Sequence, residues 1–177
     1  MIRMIFACEK ETGLIGKCGT LPWHFSEDLK FFKEQTINKL VICGSTTFKS
    51  LPKLKDRNLY VCTSDVEVGK KAIESEAGVI FDLEGFLKEP GSSCDVYIIG
   101  GAKIYEAAKK YADELVVTEI ALKDGKHFTG DAYIFDFAKE FEKHEVIACK
   151  ECINKSSDEF DGQVAVLEWS IWRKKPL

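Results

Sequence analysis

One feature constrains the fold of this chain more than any other. Through its first two thirds, short runs rich in Ile, Val and Phe alternate with segments whose apolar residues fall at helical spacing. The apolar runs are Ile2–Cys8, Lys39–Cys43, Asn58–Thr63, Gly78–Phe81, Asp95–Ile99 and Glu114–Ala121. The helical segments are Ser26–Thr36, Ser45–Leu51, Val68–Ser75, Leu83–Lys88 and Ala102–Tyr111. Strands joined through helices pair in parallel, because a tight turn can only fold the chain back on itself. After Ala121 the pattern changes to one helical segment, Phe135–Phe141, and two long apolar runs, His144–Ile153 and Val164–Arg173, joined by the polar stretch Asn154–Gly162. That last pair predicts an antiparallel hairpin on the sheet edge. The expectation is an α/β domain spanning residues 1–177, with about eight strands and a predominantly parallel sheet.

Composition narrows the partners. Lys+Arg 25 against Asp+Glu 29 gives a formal net charge of −4, without the cationic surplus that neutralises a phosphate backbone, so nucleic acid is not expected as a ligand and a small molecule is. The seven cysteines are odd in number and scattered through apolar runs, which suits reduced thiols in a cytoplasmic compartment. The N-terminal apolar run is broken at once by Glu9, Lys10 and Glu11, unlike a signal peptide, and no run approaches the ~20 apolar residues of a membrane span. Two stretches, Glu9–Trp23 and Lys123–Asp131, are expected to lack regular structure. The first carries Gly13, Gly16, Gly19 and Pro22 and is long enough to serve as a lid.

Four features could carry chemistry. Asp28 lies four residues before Phe32, so its carboxylate borders the apolar face of its helix. It is either a first-turn acid that complements the helix dipole behind a Ser26 cap, or a buried acid that binds an amidine-like ligand group or tunes a proton transfer. In Val96–Ala102 an apolar strand runs into Gly100-Gly101 and a helix, either a tight turn or a close backbone approach to a phosphate. Gly44-Ser45-Thr46-Thr47 repeats that pattern, its hydroxyls serving as caps or as ligand contacts, and the P-loop spacing before Lys49-Ser50 is not met. Cys149-x-x-Cys152 falls within a strand, where positions i and i+3 face opposite ways, so neither a metal nor a redox pair is expected. His24, His127 and His144 share no ligand spacing and are expected on the surface or in loops, and no metal site is expected.

These pieces together resemble one family. Gly13-Leu14-Ile15-Gly16-x-x-Gly19-x-Leu21-Pro22-Trp23, then Asp28 and Phe32-Lys33, closely resembles the N-terminal motif of dihydrofolate reductases. The likeness continues in order through Val41-Ile42-x-Gly44-x-x-Thr47-Phe48-x-Ser50, Arg57, Thr63-Ser64, Ile98-Ile99-Gly100-Gly101-x-x-Ile104-Tyr105, Thr118 and Gly130-Asp131. The resemblance implies a three-layer fold: an eight-stranded, mostly parallel sheet with an antiparallel C-terminal edge and helices on both faces. It also implies NADPH-dependent reduction of 7,8-dihydrofolate to tetrahydrofolate in one-carbon metabolism, by hydride transfer to C6 and protonation at N5.

By the same resemblance Asp28 holds the pterin 2-amino group and N3, Thr118 braces the carboxylate and Trp23 positions a water. The Ile5 and Ile99 carbonyls line the pocket floor, Leu29, Phe32, Leu51 and Leu54 enclose the substrate, and Arg57 pairs with its glutamate carboxylate. Ala7, Ile15 and Gly16 border the nicotinamide. Gly44, Ser45, Thr46 and Thr47 face Gly100, Gly101, Ala102, Lys103, Ile104 and Tyr105 across the pyrophosphate, and Thr63 and Ser64 meet the 2′-phosphate. The family often carries arginine where this chain has Ser45, which implies a weaker choice of NADPH over NADH, with Lys49 and Lys103 as alternative cations. Cys18 replaces a frequent asparagine. A monomer is expected. The rival identities are the reductase of riboflavin biosynthesis, which lacks the Pro-Trp, Asp and Phe arrangement, and a noncatalytic pterin- or nucleotide-binding protein.

Overall fold

The computed structural model describes residues 1–89 and 94–177. The elements run β1 (Ile2–Glu9), β2 (Leu14–Gly16), α1 (Ser26–Thr36), β3 (Leu40–Gly44), α2 (Ser45–Ser50), β4 (Asn58–Cys62), α3 (Val66–Glu74), β5 (Gly78–Ile80) and α4 (Leu83–Lys88). They continue with β6 (Val96–Gly100), α5 (Ala102–Ala108), β7 (Glu114–Leu122), β8 (Ala132–Tyr133), a 3-10 turn at Phe137–Lys139, β9 (Phe141–Ile153) and β10 (Val164–Lys174). Eight strands form one sheet in the order β5-β4-β3-β6-β1-β7-β10-β9. The first six in that order are parallel, and β10 runs antiparallel to both β7 and β9. This is the mixed sheet that the alternation of strand and helix predicts.

Connections that step outward through β3, β4 and β5 and those that step back through β6 and β7 put their helices on opposite faces, as a single crossover hand requires. Alternate residues of the same strand accordingly enter different cores. Met4, Phe6, Ile42 and Ile98 pack with Leu83, Leu87, Tyr105 and Ala108 of α4 and α5. Ile5, Val41, Val61 and Ile99 pack with Val68 and Ala72 of α3 and with Phe31, Phe32 and Phe48 of α1 and α2. Strands buried on both faces are what parallel sheets demand, and they explain why these runs are apolar without interruption. A third cluster, with Trp23, Phe25, Phe128, Leu167 and Trp169, joins the β7–β10 side of the sheet to the loops beside it.

The structure departs from the sequence expectations in five places. Two extra strands, β2 and β8, pair antiparallel outside the main sheet, so the Glu9–Trp23 stretch is partly ordered by β2. Phe135–Phe141 is not a helix. Only the 3-10 turn forms, because Phe137 packs edge-on against Phe6 and Trp172 while Phe141, fully buried, already begins β9. Ser26 does not cap α1: the N-cap is Phe25, with no side-chain cap bond, and the Ser26 hydroxyl turns to Glu27. The hydroxyls after Gly44 do not cap α2 either. In contrast α3 starts at Val66, two residues before its expected first residue, because the Asp65 carboxylate accepts from the backbone N–H of Glu67 and Val68. Cys152 is buried and Cys149 exposed, opposite faces of β9 as the strand period requires.

Candidate active site

The first turn of α1 carries Asp28 over the sheet, and two neighbouring strands meet it there. Thr118 of β7 and Trp169 of β10 are directly opposite one another in the antiparallel ladder, and Ala7 of β1 pairs with Thr118 on its other side. Thr118 Oγ1 donates to Asp28 Oδ1 at 2.7 Å, and Trp169 Nε1 donates to the same oxygen at 3.0 Å. Burial pushes the Asp28 carboxyl above the ordinary range, and these two donors partly oppose it. Among the described residues no cation is paired with Asp28, an unusual state for a sequestered acid. An arrangement of this kind can receive a ligand that brings its own paired N–H donors.

The surrounding walls are apolar. Trp23 is buried, packs edge-on against Phe128, and its Nε1 has no protein acceptor, so its N–H is left for a water or ligand atom. Phe32, Leu51 and Leu54 pack against the core that contains Ile5 and Ile99. Leu29, expected to enclose a ligand with them, is exposed. The Ile5 carbonyl accepts from the buried Tyr105 hydroxyl at 2.7 Å. Arg57 is anchored from two sides, its Nη1 donating to Thr36 Oγ1 at 3.3 Å and its Nε to the Lys55 carbonyl at 3.0 Å.

Beside this cleft, β3 and β6 end side by side in two glycine turns. Gly44 is the residue before α2 and Gly101 the residue before α5. The Gly100-Gly101 peptide bond is cis, and the pairing of β6 with β3 shifts register between Ile98 and Gly100. A Cβ on Gly44 would lie 2.7 Å from Ile104 Cγ1, and one on Gly100, where φ is +138°, would lie 3.0 Å from Thr47 Oγ1. Glycine at these positions leaves room for the Ile104 and Thr47 side chains, and the turns open where the direction of the sheet connections reverses, the place where open α/β sheets bind ligands. A dinucleotide pyrophosphate fits that cradle. Thr63 is buried and shares a 3.5 Å contact with Ser45 Oγ, Ser64 and Lys103 are exposed, and Ala102 and Ile104 are half-buried. Ile15 and Gly16 are buried in β2, within the 9–23 loop. That loop reaches α2, because Ser50 Oγ donates to the Gly19 carbonyl at 2.8 Å. Among the described residues no group of His, Cys, Asp or Glu is arranged to hold a metal ion.

Several residues that shape the site escape motif reasoning. Trp169 had no assigned role, although a tryptophan at an inward position of β10 needs a partner for its N–H and so signals a polar group nearby. Glu9 is fully buried, accepting from Thr12 Oγ1 at 2.7 Å and from the Phe128 N–H at 2.8 Å, and His127 Nδ1 lies 3.0 Å from it. His127, exposed and in a loop as expected, thus tethers the 123–131 loop to the base of the 9–23 loop. Gly130 lies so close to the Gly16 carbonyl that a Cβ would sit 2.4 Å from it, which explains the glycine there.

Fold and cleft together define the class, an open α/β domain with an acid cleft beside a double-glycine turn at the switch point of its sheet. Comparison with known proteins gives the family. The family model for dihydrofolate reductase matches residues 1–168. The chain is 32% identical over 149 residues to dihydrofolate reductase of Mycoplasma pneumoniae, an alignment covering 79% of this chain and 90% of that one. It is 35% identical over 141 residues to the Bacillus subtilis dihydrofolate reductase, covering 77% of each. Among solved structures it is similar to dihydrofolate reductase from Enterococcus faecalis complexed with NADP(H) and RAB-propyl, with a TM-score of 0.73, 26% identity, and 99% and 97% coverage of the two chains. The chain belongs to the dihydrofolate reductase family.

The raised Asp28 pKa makes a stability prediction. Because the folded state holds the Asp28 proton more tightly than the unfolded chain does, stability is lost as pH rises from the ordinary carboxylate range through the folded pKa. Asp28→Asn has no such loss. In urea unfolding across pH 4 to 8, its stability relative to the parent is expected to increase with pH and then level off.

Proposed function

We propose that this cleft reduces 7,8-dihydrofolate to tetrahydrofolate with NADPH, and that Asp28 is the residue on which substrate orientation and N5 protonation depend. The observation that carries the proposal is the Asp28 carboxylate itself: drawn away from water, given two donors on one oxygen, and left without a cation. The carboxylate then accepts from the pterin 2-amino group and from the N3 N–H, a charge-assisted fork of the kind that fixes a planar ring. NADPH, when bound, supplies the hydride. Held between Phe32 and the sheet, the ring presents one face to the Gly44 and Gly100-Gly101 cradle. The orphaned Trp23 N–H holds a water by the pterin, and the negative charge of Asp28 favours proton delivery to N5. Thr118 braces the carboxylate, the Ile5 and Ile99 carbonyls line the pocket floor, and Arg57, already anchored at Thr36, meets the substrate's glutamate carboxylate. The 9–23 loop, through Ala7, Ile15 and Gly16 at its base, closes over the nicotinamide.

The cradle continues with Ser45, Thr46, Thr47, Ala102, Lys103, Ile104 and Tyr105 around the pyrophosphate, and with Thr63 and Ser64 toward the 2′-phosphate. Residues 1–177 act as one domain and as a cytoplasmic monomer. No helix among the described residues is long and apolar enough to cross a membrane, and the net charge of −4 offers nothing to nucleic acid.

Two measurements test this reading. Asp28→Asn is expected to keep its circular dichroism while kcat/KM for dihydrofolate at pH 7 falls by roughly two orders of magnitude, the size of a lost hydrogen bond to a buried charge. Near-parental turnover would refute the assignment. Ser45→Arg places a guanidinium at the 2′-phosphate, and the NADPH to NADH ratio of kcat/KM is expected to rise about tenfold or more. An unchanged ratio would place the 2′-phosphate elsewhere.

A further inference from the structure

The structure assigns Trp169 as a second positioning residue for the acid: its indole N–H and the Thr118 hydroxyl both end on Asp28 Oδ1 and together fix the plane in which the carboxylate meets the pterin, so that the carboxylate stays ionised while bound. The inference rests on the role proposed for Asp28. Both bonds end on the same oxygen, 2.7 Å from Thr118 and 3.0 Å from Trp169. Two donors arriving from different strands also fix the plane of the carboxyl group, which a single donor leaves free to rotate about its bond.

The backbone shows that this pairing is built in. Trp169 and Thr118 face each other in the β10–β7 ladder, so a one-residue slip of either strand would turn one donor to the opposite face. Immediately after Trp169, the pairing of β10 with β9 changes register, from Trp169 with Ala148 to Ser170 with Val146, leaving Ile147 as an extra residue. Such a bulge commonly re-aims a side chain beside a functional site. The indole is held from the helix side by Phe31, whose ring centre lies 5.9 Å away, and it is buried in the cluster that contains Trp23 and Phe25.

The surroundings leave the two donors as the polar influence on this acid. On α1 the neighbouring acid is Glu27, which is exposed. On β9, Cys152 approaches both Glu27 and Asp28, and burial pushes its thiol up to about 12, so it stays neutral. β7 and β10 contribute Thr118 and Trp169 themselves. Burial raises the Asp28 pKa, and the two hydrogen bonds lower it. Removing one of them exposes the carboxylate more fully to the effect of burial.

The test compares the parent with Trp169→Phe, with a variant carrying 3-benzothienylalanine at position 169, and with Asp28→Asn. The benzothiophene keeps the size and shape of the indole and replaces only its N–H with sulfur, so it preserves packing even if phenylalanine does not. Two readouts are taken from pH 5 to 9: kcat/KM for dihydrofolate, and the affinity for folate by calorimetry with no cofactor present. Both Trp169 variants are expected to move the Asp28-linked midpoint upward by about one pH unit in both profiles, as for one lost charge-assisted hydrogen bond. KM for dihydrofolate rises several-fold while KM for NADPH stays within a factor of two. Asp28→Asn is expected to abolish the midpoint itself. A benzothienylalanine variant with an unmoved midpoint, or with a uniform loss at every pH, would overturn the Trp169 assignment and leave the role of Asp28 standing. Parental profiles in Asp28→Asn would instead overturn the reading on which it rests.

Discussion

The Asp28 carboxylate sits where burial disfavours its charge, and two hydrogen bonds from adjacent strands hold it there. That link ties α1 to β7 and β10 and sets the position of the helix that carries Phe31 and Phe32. It depends in turn on strand register, because Ala7, Thr118 and Trp169 line up across three neighbouring strands. A charge kept in an apolar cleft with no cation is a cost to stability. Such costs are tolerated where a ligand is to supply the missing donors.

The second constraint is the close approach of two strand ends. Gly44 and Gly100 lie where any Cβ would meet Ile104 or Thr47, so the backbone itself walls the cradle. Their strands are neighbours in the sheet, and the direction of the connections reverses between them, which is where open α/β sheets form a crevice. Acid cleft and cradle thus come from different physical sources, one from side-chain hydrogen bonding across an antiparallel join and the other from topology.

Much of this was legible in the chain. Uninterrupted apolar runs separated by helical segments specify the parallel strands, and the polar Asn154–Gly162 stretch between two long runs specifies the terminal hairpin. Asp28 and the paired glycines stand out by spacing alone, although spacing left their roles open until the motifs were taken together. What escaped notice has a common cause. Trp169 acts across the sheet on a residue 141 positions away, and Glu9 reaches His127 across 118, separations at which no local pattern operates. The turn at Phe137–Lys139 escaped for the converse reason. Its helical spacing was genuine, and packing of Phe137 between Phe6 and Trp172 overrode it.

The most direct test follows the carboxyl group itself. With carbon-13 placed in the aspartate side chains and Asp28→Asn used to assign the resonance, the Asp28 Cγ signal can be titrated in the free protein and with folate bound. A midpoint above the ordinary carboxylate range that falls when folate binds is the predicted result, since the ligand's paired N–H groups favour the charged form. A midpoint in the ordinary range that folate leaves unmoved would contradict the account.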